Sequence, residues 1–311
     1  MKLVFCGTPE FAVPSLQAVV DAGHEVALVL TQPDRPAGRK LEVQVPPVKS
    51  LALSLGLPVL QPEKLKTNAE LRTQLESIAP DAILVVAYGR IIPDWMLALP
   101  RFGCINVHGS LLPKYRGAAP IQWAVANGET ETGVTTMRLD AGLDTGDTLL
   151  SHSLLIGPDT TSSQLYPQLA AVGAQVLLET LSGLAAGTLQ PQPQDSSLAT
   201  LAPILTRDDA RLDPAQHTAQ QAYNRWRGFS PWPGCWANFR GRRFLIHALH
   251  PAAEGPALAP GELDIGTGAL LAGAAKGTLL SLDEVQLEAK PRLSGARFAR
   301  DYQLRSGEHL E

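Results

Sequence analysis

Short apolar runs alternate with helix-periodic segments through residues 1–138, a Pro-, Gln- and Ser-rich stretch follows at 188–203, and five short strand candidates fill the remainder of the chain. This order predicts an α/β protein: a Rossmann-like parallel sheet with helices on both faces, linked to a C-terminal OB-like β-barrel. The divisions expected from it are a first domain over residues 1–189, a linker over 190–207 and a second domain over 208–311.

The elements follow from local pattern. Lys2–Cys6 is an apolar strand that meets a turn at Gly7-Thr8-Pro9. Phe11–Ala22 has helical spacing, and Gly23 supplies a stop. Val26–Leu30 is a strand, Val48–Leu55 a helix ended by Gly56, Pro58–Leu60 a short strand and Ala69–Ile78 a helix with a polar face. Ala82–Ala87 is apolar throughout, as expected of a strand buried on both faces. Ile91–Leu97 reads as helix, Cys104–Val107 as strand, Ala118–Asn127 as helix and Thr132–Arg138 as a β-branched strand. The stretch 188–203 has no period and reads as a linker. Beyond it, Ala219–Arg227 reads as helix. The strand candidates are Cys235–Phe239, Arg243–Leu249, Glu262–Ile265, Ala269–Ala272 and Leu279–Val285.

The chain has 311 residues, 45% hydrophobic and 18% charged, which suits a globular protein with a sizeable core. No apolar run reaches the ~20 residues of a bilayer span, and the N-terminus lacks the apolar stretch of a signal peptide. A cytoplasmic protein with no membrane partner is expected. Cys6, Cys104 and Cys235 are widely spaced and lack metal-type pairing, so buried free thiols are expected, and no metal. The net charge of −4 argues against a general nucleic-acid binder. The distribution is uneven, however. Residues 1–206 hold 13 Lys and Arg against 18 Asp and Glu, whereas residues 207–243 alone hold seven arginines and three acids. Such a basic patch can still engage a polyanion.

The most informative stretch is Asn106-Val107-His108-Gly109-Ser110-Leu111-Leu112-Pro113-Lys114-Tyr115. Residues two apart on a strand share a face, so Asn106 and His108 point into one space at a strand's carboxyl end, where open α/β sheets bind ligands. An amide donor beside a titratable ring suits acyl transfer, in which an oxyanion needs donors and protons must move. A carboxylate partner is expected from the glycine-rich loop 139–147, with Asp144, Asp140 and Asp147 all available on sequence grounds. The turn Gly7-Thr8-Pro9-Glu10-Phe11-Ala12 sits where a dinucleotide fingerprint would sit but lacks its second and third glycines, which disfavours a nicotinamide cofactor.

The stretches 5–12, 31–39, 86–89, 104–120 and 140–147 together resemble the family of 10-formyltetrahydrofolate-dependent formyltransferases, end to end. The histidine segment with Ser110-Leu111-Leu112-Pro113 is shared across that family and so indicates the chemistry rather than the acceptor. The Gln32–Arg39 loop, the helix start Ala118-Ala119-Pro120-Ile121-Gln122 and the run Phe229-Ser230-Pro231-Trp232-Pro233-Gly234 are similar to the tRNA-directed branch. The resemblance implies transfer of formyl from 10-formyltetrahydrofolate, as co-substrate, to the α-amine of methionine on initiator tRNA, by a monomer serving translation initiation.

It implies Asn106, His108 and Asp144 as the catalytic set: Asn106 and His108 as donors to the oxyanion, His108 also as proton shuttle and Asp144 as its orienting carboxylate. It implies folate contacts at Ser110, Leu111, Leu112, Pro113, Val86, Tyr88 and Gly89. Contacts to tRNA are implied at Arg35, Arg39 and Lys40 in the basic loop, and at Arg225, Arg242 and Arg243 in the second domain. The competing readings are an aminosugar-nucleotide formyltransferase, a non-catalytic tRNA-binding scaffold and a Rossmann dehydrogenase.

Overall fold

The computed structural model describes residues 1–37, 42–265, 268–305 and 307–311. In chain order the elements are β1 (Lys2–Gly7), α1 (Val13–Asp21), β2 (Glu25–Leu30), β3 (Arg35–Ala37), β4 (Glu42–Gln44), α2 (Pro47–Ser54), β5 (Val59–Leu60), α3 (Ala69–Ile78), β6 (Ala82–Val86), α4 (Asp94–Leu97), β7 (Cys104–His108), α5 (Pro120–Ala126), β8 (Glu131–Arg138), β9 (Thr148–Leu155), α6 (Ser162–Ala186), α7 (Ala219–Phe229), β10 (Trp236–Phe239), β11 (Arg242–Ala252), β12 (Leu263–Asp264), β13 (Leu271–Ala274), β14 (Thr278–Leu287), β15 (Leu293–Ser294) and α8 (Gly295–Asp301).

They form two compact units. The first comprises residues 1–120, 131–155 and 165–203, and the second residues 121–130, 156–164 and 204–311. The first holds a seven-stranded sheet in the order β5-β2-β1-β6-β7-β8-β9. Its first five strands are parallel, as the sequence predicts; β8 and β9 then add an antiparallel edge. On one face Val4, Cys6, Leu28, Leu30, Ile83, Val85 and Cys104 pack with Leu71 and Leu75 of α3 and Met96 of α4. On the other face α6 lies against β7 and β8. A Cβ built on Gly173 would come 2.9 Å from Val107. Both faces are thus covered, which is why β6 and β7 are buried along their whole length.

Helix ends follow local chemistry. Asn68 caps α3 by accepting from the Leu71 N–H, and α3 ends at Ala79 with a left-handed φ of 48°. Six elements have no counterpart in the sequence reading: β3, β4, β9, the 25-residue α6, β15 and α8. By length and composition α6 could cross a membrane, yet Leu165, Leu169, Leu177 and Leu181 are fully buried in the protein.

The second unit is a six-stranded antiparallel sheet, β10-β11-β14-β13-β12 with β15 added on β14. The register shifts within β11 against β14 allow the curl expected of an OB-like fold. Phe239, Phe244 and Phe298 meet at its centre with ring centroids 5.0–5.9 Å apart. Helix α7 starts at a reciprocal capping box of Thr218 and Gln221.

The stretch expected as a linker is not free as far as residue 202. Thr148 and Gln192 exchange both backbone hydrogen bonds, and Arg116 pairs with Thr200 and Ala202.

Candidate active site

The carboxyl end of β7 carries Asn106 and His108 on one face, in line with Cys104, because strand residues alternate. Val107 between them turns to α6. Val85 of β6 is the register partner of Asn106, and Thr135 of β8 that of His108. Both side chains are nearly buried, Asn106 at 9% and His108 at 6% exposure. Among the described residues no side-chain hydrogen bond engages the Asn106 carboxamide, so its N–H groups stay available.

His108 is held from both sides. Its Nε2 lies 2.8 Å from the Tyr115 carbonyl, an acceptor only, so Nε2 carries the proton. Nδ1 then faces Asp144 Oδ2 at 3.7 Å. That oxygen also accepts from the Gly117 N–H at 2.8 Å. The structure thereby separates the three acids that the sequence left open. Asp140 turns back on its own loop, accepting from the Gly142 N–H at 3.0 Å and the Thr145 hydroxyl at 2.8 Å. Asp147 accepts the Arg138 N–H through its backbone carbonyl. Asp144 alone reaches the imidazole, and it does so from a left-handed backbone with φ 51°.

The segment after His108 is braced by a residue the sequence reading did not single out. The Thr135 hydroxyl donates to the Ser110 carbonyl at 2.7 Å and accepts from the Leu112 N–H at 3.2 Å. The only signal for it was a hydroxyl inside a buried strand. Ser110 is fully buried and donates to the Lys114 carbonyl at 2.6 Å. Leu111 lies against Gly133 of β8, while Leu112 and Pro113 are half-exposed. At the end of β6, Val86 and the ring of Tyr88 belong to the core. The Tyr88 carbonyl takes hydrogen bonds from Thr8 Oγ1 at 3.2 Å and Gln32 Nε2 at 3.1 Å. Gln32 Nε2 also reaches the Gly89 carbonyl at 3.3 Å. These bonds fix the turn and occupy acceptors that a ligand would otherwise use.

The basic stretch 31–49 reads as loop in the sequence, but the structure gives a β3–β4 hairpin, with Arg35 paired to Gln44 and exposed. Its base is fixed by Lys49, which donates to Asp34 at 2.7 Å and to Gln61 at 2.7 Å. The Lys49 bond, together with one that Gln61 Nε2 donates to Asp34 Oδ1 at 2.7 Å, holds the Asp34 carboxyl below its usual range. Arg39 and Lys40 lie outside the described residues. In the second unit, Arg242 is exposed and donates to the Glu288 carbonyl at 2.6 Å. Arg243 stacks on the Trp236 ring at 4.2 Å. Arg225 departs from the expectation of a free basic side chain. It is drawn inward, donates to the Asp209 carbonyl and lies 5.2 Å over the Phe229 ring. Burial lowers its pKa. Among the described residues no group of three or more His, Cys, Asp or Glu is placed to hold a metal ion.

Comparison with known proteins adds to this geometry. Residues 1–181 match the family described as formyl transferase, and residues 204–303 match the formyl transferase C-terminal domain. The chain is similar to the methionyl-tRNA formyltransferase of Acidobacterium capsulatum, 58% identical over 300 residues and 96% of each chain. It is 56% identical to that of Koribacter versatilis over all of this chain and 98% of the other. Among solved structures, the N-formyltransferase from Helicobacter canadensis, in complex with folinic acid and dTDP-3-aminofucose, superposes with a TM-score of 0.65 at 17% identity, covering 91% of this chain and 98% of that one. HypX from Aquifex aeolicus, in complex with tetrahydrofolic acid, superposes with a TM-score of 0.62 at 17% identity, covering 99% of this chain and 48% of its own length. At that identity the two structures speak for the fold.

Proposed function

The chain belongs to the formyl transferase family, and from that premise we propose that it transfers the formyl group of 10-formyltetrahydrofolate to the α-amino group of methionine on initiator methionyl-tRNA. The product is N-formylmethionyl-tRNA, for translation initiation. What carries this reading is identity above one half, along nearly the entire chain, to relatives named for that activity. The partner is tRNA. We take the enzyme to act as a cytoplasmic monomer, apart from any membrane.

The arrangement around His108 supports a direct division of labour. The free α-amine, which titrates near ~8, attacks the formyl carbon. A C–N bond forms and negative charge develops on the former carbonyl oxygen. Asn106, with its N–H groups uncommitted, donates to that oxygen. The His108 ring is fixed by the bond from Nε2 to Tyr115, so Nδ1, opposite Asp144, is the place where a proton is taken up and released. The proton lost by the attacking nitrogen is returned to N10 as the bond between the formyl carbon and N10 breaks. Asp144 holds the imidazole in register for both transfers. The Ser110–Pro113 segment and the Val86–Gly89 turn flank this position in the fold, and we assign folate binding to them. The β3–β4 hairpin, with Arg35 and the adjoining Arg39 and Lys40, serves tRNA recognition. Arg242 and Arg243 serve phosphate contacts, and Arg225 supports them from within.

The deciding assay incubates the protein with 10-formyltetrahydrofolate and either methionyl initiator tRNA or an aminosugar nucleotide. Formylation of the tRNA alone is expected. Formylation of the sugar alone would replace this reading with the aminosugar-directed one.

A further inference from the structure

We propose that Gln194, in the segment that follows α6, is a positioning residue for the Asp144 carboxylate; the proposal rests on the reading of Asp144 as part of the reaction centre. Its carboxamide makes every hydrogen bond of which it is capable. Nε2 donates to the Asp144 carbonyl at 2.9 Å and to the Gly146 carbonyl at 2.7 Å. Oε1 accepts from Arg116 Nε at 3.1 Å and Nη2 at 2.8 Å. An amide has two donor hydrogens and two acceptor lone pairs, and all four are used.

These bonds join the two turns that flank His108. Arg116 follows Tyr115, whose carbonyl fixes Nε2, and precedes Gly117, whose N–H holds Asp144 Oδ2. The two carbonyls reached by Nε2 belong to the loop that presents Asp144. That loop needs holding. Asp144 is a non-glycine residue in the left-handed region, a conformation that persists only where its surroundings impose it. Two residues on, a Cβ at Gly146 would stand 1.8 Å from the Arg138 carbonyl, so the loop is folded tightly against the end of β8.

Gln194 is itself held from both sides. Gln192 pairs with Thr148 through hydrogen bonds of 2.9 and 2.8 Å. Thr200 and Ala202 bond to Arg116 at 2.9 and 2.7 Å, and a Cβ on Gly117 would fall 2.5 Å from the Ala202 carbonyl. The carboxamide is therefore a fixed strut between the guanidinium of Arg116, the residue after the imidazole's carbonyl partner, and the carboxylate's backbone. A merely structural staple would stabilise the fold equally well with any reacting group. A strut for Asp144 loses its value once Asp144 no longer carries a charge.

The experiment measures steady-state formyl transfer to methionyl initiator tRNA, with the thermal midpoint, for the full chain and for Gln194→Met, Gln194→Glu, Asp144→Asn and the double variant Gln194→Met with Asp144→Asn. In Gln194→Met, kcat should fall about tenfold or more, as expected for a misplaced reacting group. KM for both substrates should stay within about twofold. Gln194→Glu still accepts from Arg116 but has no N–H to give, so its kcat should fall similarly. Adding Gln194→Met to Asp144→Asn should cost nothing further. An unchanged kcat, a rise in KM alone, full additivity with Asp144→Asn, or a loss confined to Gln194→Met with a lowered midpoint would overturn the proposal. If Asp144→Asn alone keeps the unaltered kcat, the reading of the site itself fails, and that result is visible without any Gln194 variant.

Discussion

At the scale of single residues, the proposed reaction centre is a set of side chains with few alternatives open to them. His108 has one nitrogen committed to Tyr115 and the other opposite Asp144, and Asn106 has no competing partner among the described residues. Removing one oxyanion donor typically costs ~2.7–4 kcal/mol in the barrier. Asn106→Ala should therefore lower kcat roughly a hundredfold or more, and His108→Ala, which removes the group that moves the proton, should also cost roughly a hundredfold or more. Single-turnover formylation with saturating tRNA measures this, and near-normal rates in both variants would remove them from the chemistry. The pair was legible in the sequence because strand alternation is strict, so an Asn and a His two apart share a face. Asp144 was not separable from Asp140 and Asp147, because a glycine-rich loop has no period. Thr135 and Gln194 were invisible for another reason: their roles arise from hydrogen bonds across 25 and 50 residues of sequence, which no local pattern records.

The elements of the first unit were legible wherever burial leaves a simple signature. Helix α3 matches its expected bounds, and β6 differs from expectation by one residue, since an apolar run of that length has one stable place in a doubly covered sheet. Helix α6 leaves no periodic signature because it is apolar over most of its surface and carries Pro167, which together erase the 3.6-residue period. Strand β9 is an edge strand with exposed polar positions and gives little contrast. The β3–β4 hairpin reads as loop because two strands of three residues are too short to show a period. Its expected use gives a prediction. Arg39→Ala should raise KM for charged initiator tRNA while folate affinity, measured by fluorescence titration, stays unaltered; equal loss of both would count against a recognition role. Helix α7 gives another. Thr218→Ala removes one half of its capping box and should cost about 1 kcal/mol of stability in denaturant unfolding. A midpoint indistinguishable from that of the unaltered chain would show that tertiary packing alone sets the start of α7.

For the molecule as a whole, charge and thiol chemistry make separate claims. If the basic residues of the second unit grip phosphates, KM for tRNA should climb steeply between low and moderate salt, because bound counterions are released on association. A flat response would mean that this unit does not hold the backbone. The three cysteines are buried, and burial pushes the Cys104 and Cys235 thiols up to about 12 and Cys6 well above the thiol range. Folding therefore keeps them protonated. A raised folded-state pKa means that their contribution to stability is complete below the unfolded value near ~8.5 and is lost as pH rises toward the folded one. At pH 8.5 a thiol-specific reagent should label none of them in the native chain and all of them in denaturant; rapid native labelling would contradict the packing.

The anchoring of residues 192–202 also decides where this protein can be cut. A fragment ending at residue 189 would strip Gln192, Gln194, Thr200 and Ala202 from the turns they clasp, leaving the Asp144 loop without its outer wall. A fragment ending after Pro203 would carry that wall with it. Anyone dissecting the chain to study chemistry apart from tRNA capture should expect the shorter piece to mislead, since its silence would report a missing clasp and not a missing domain.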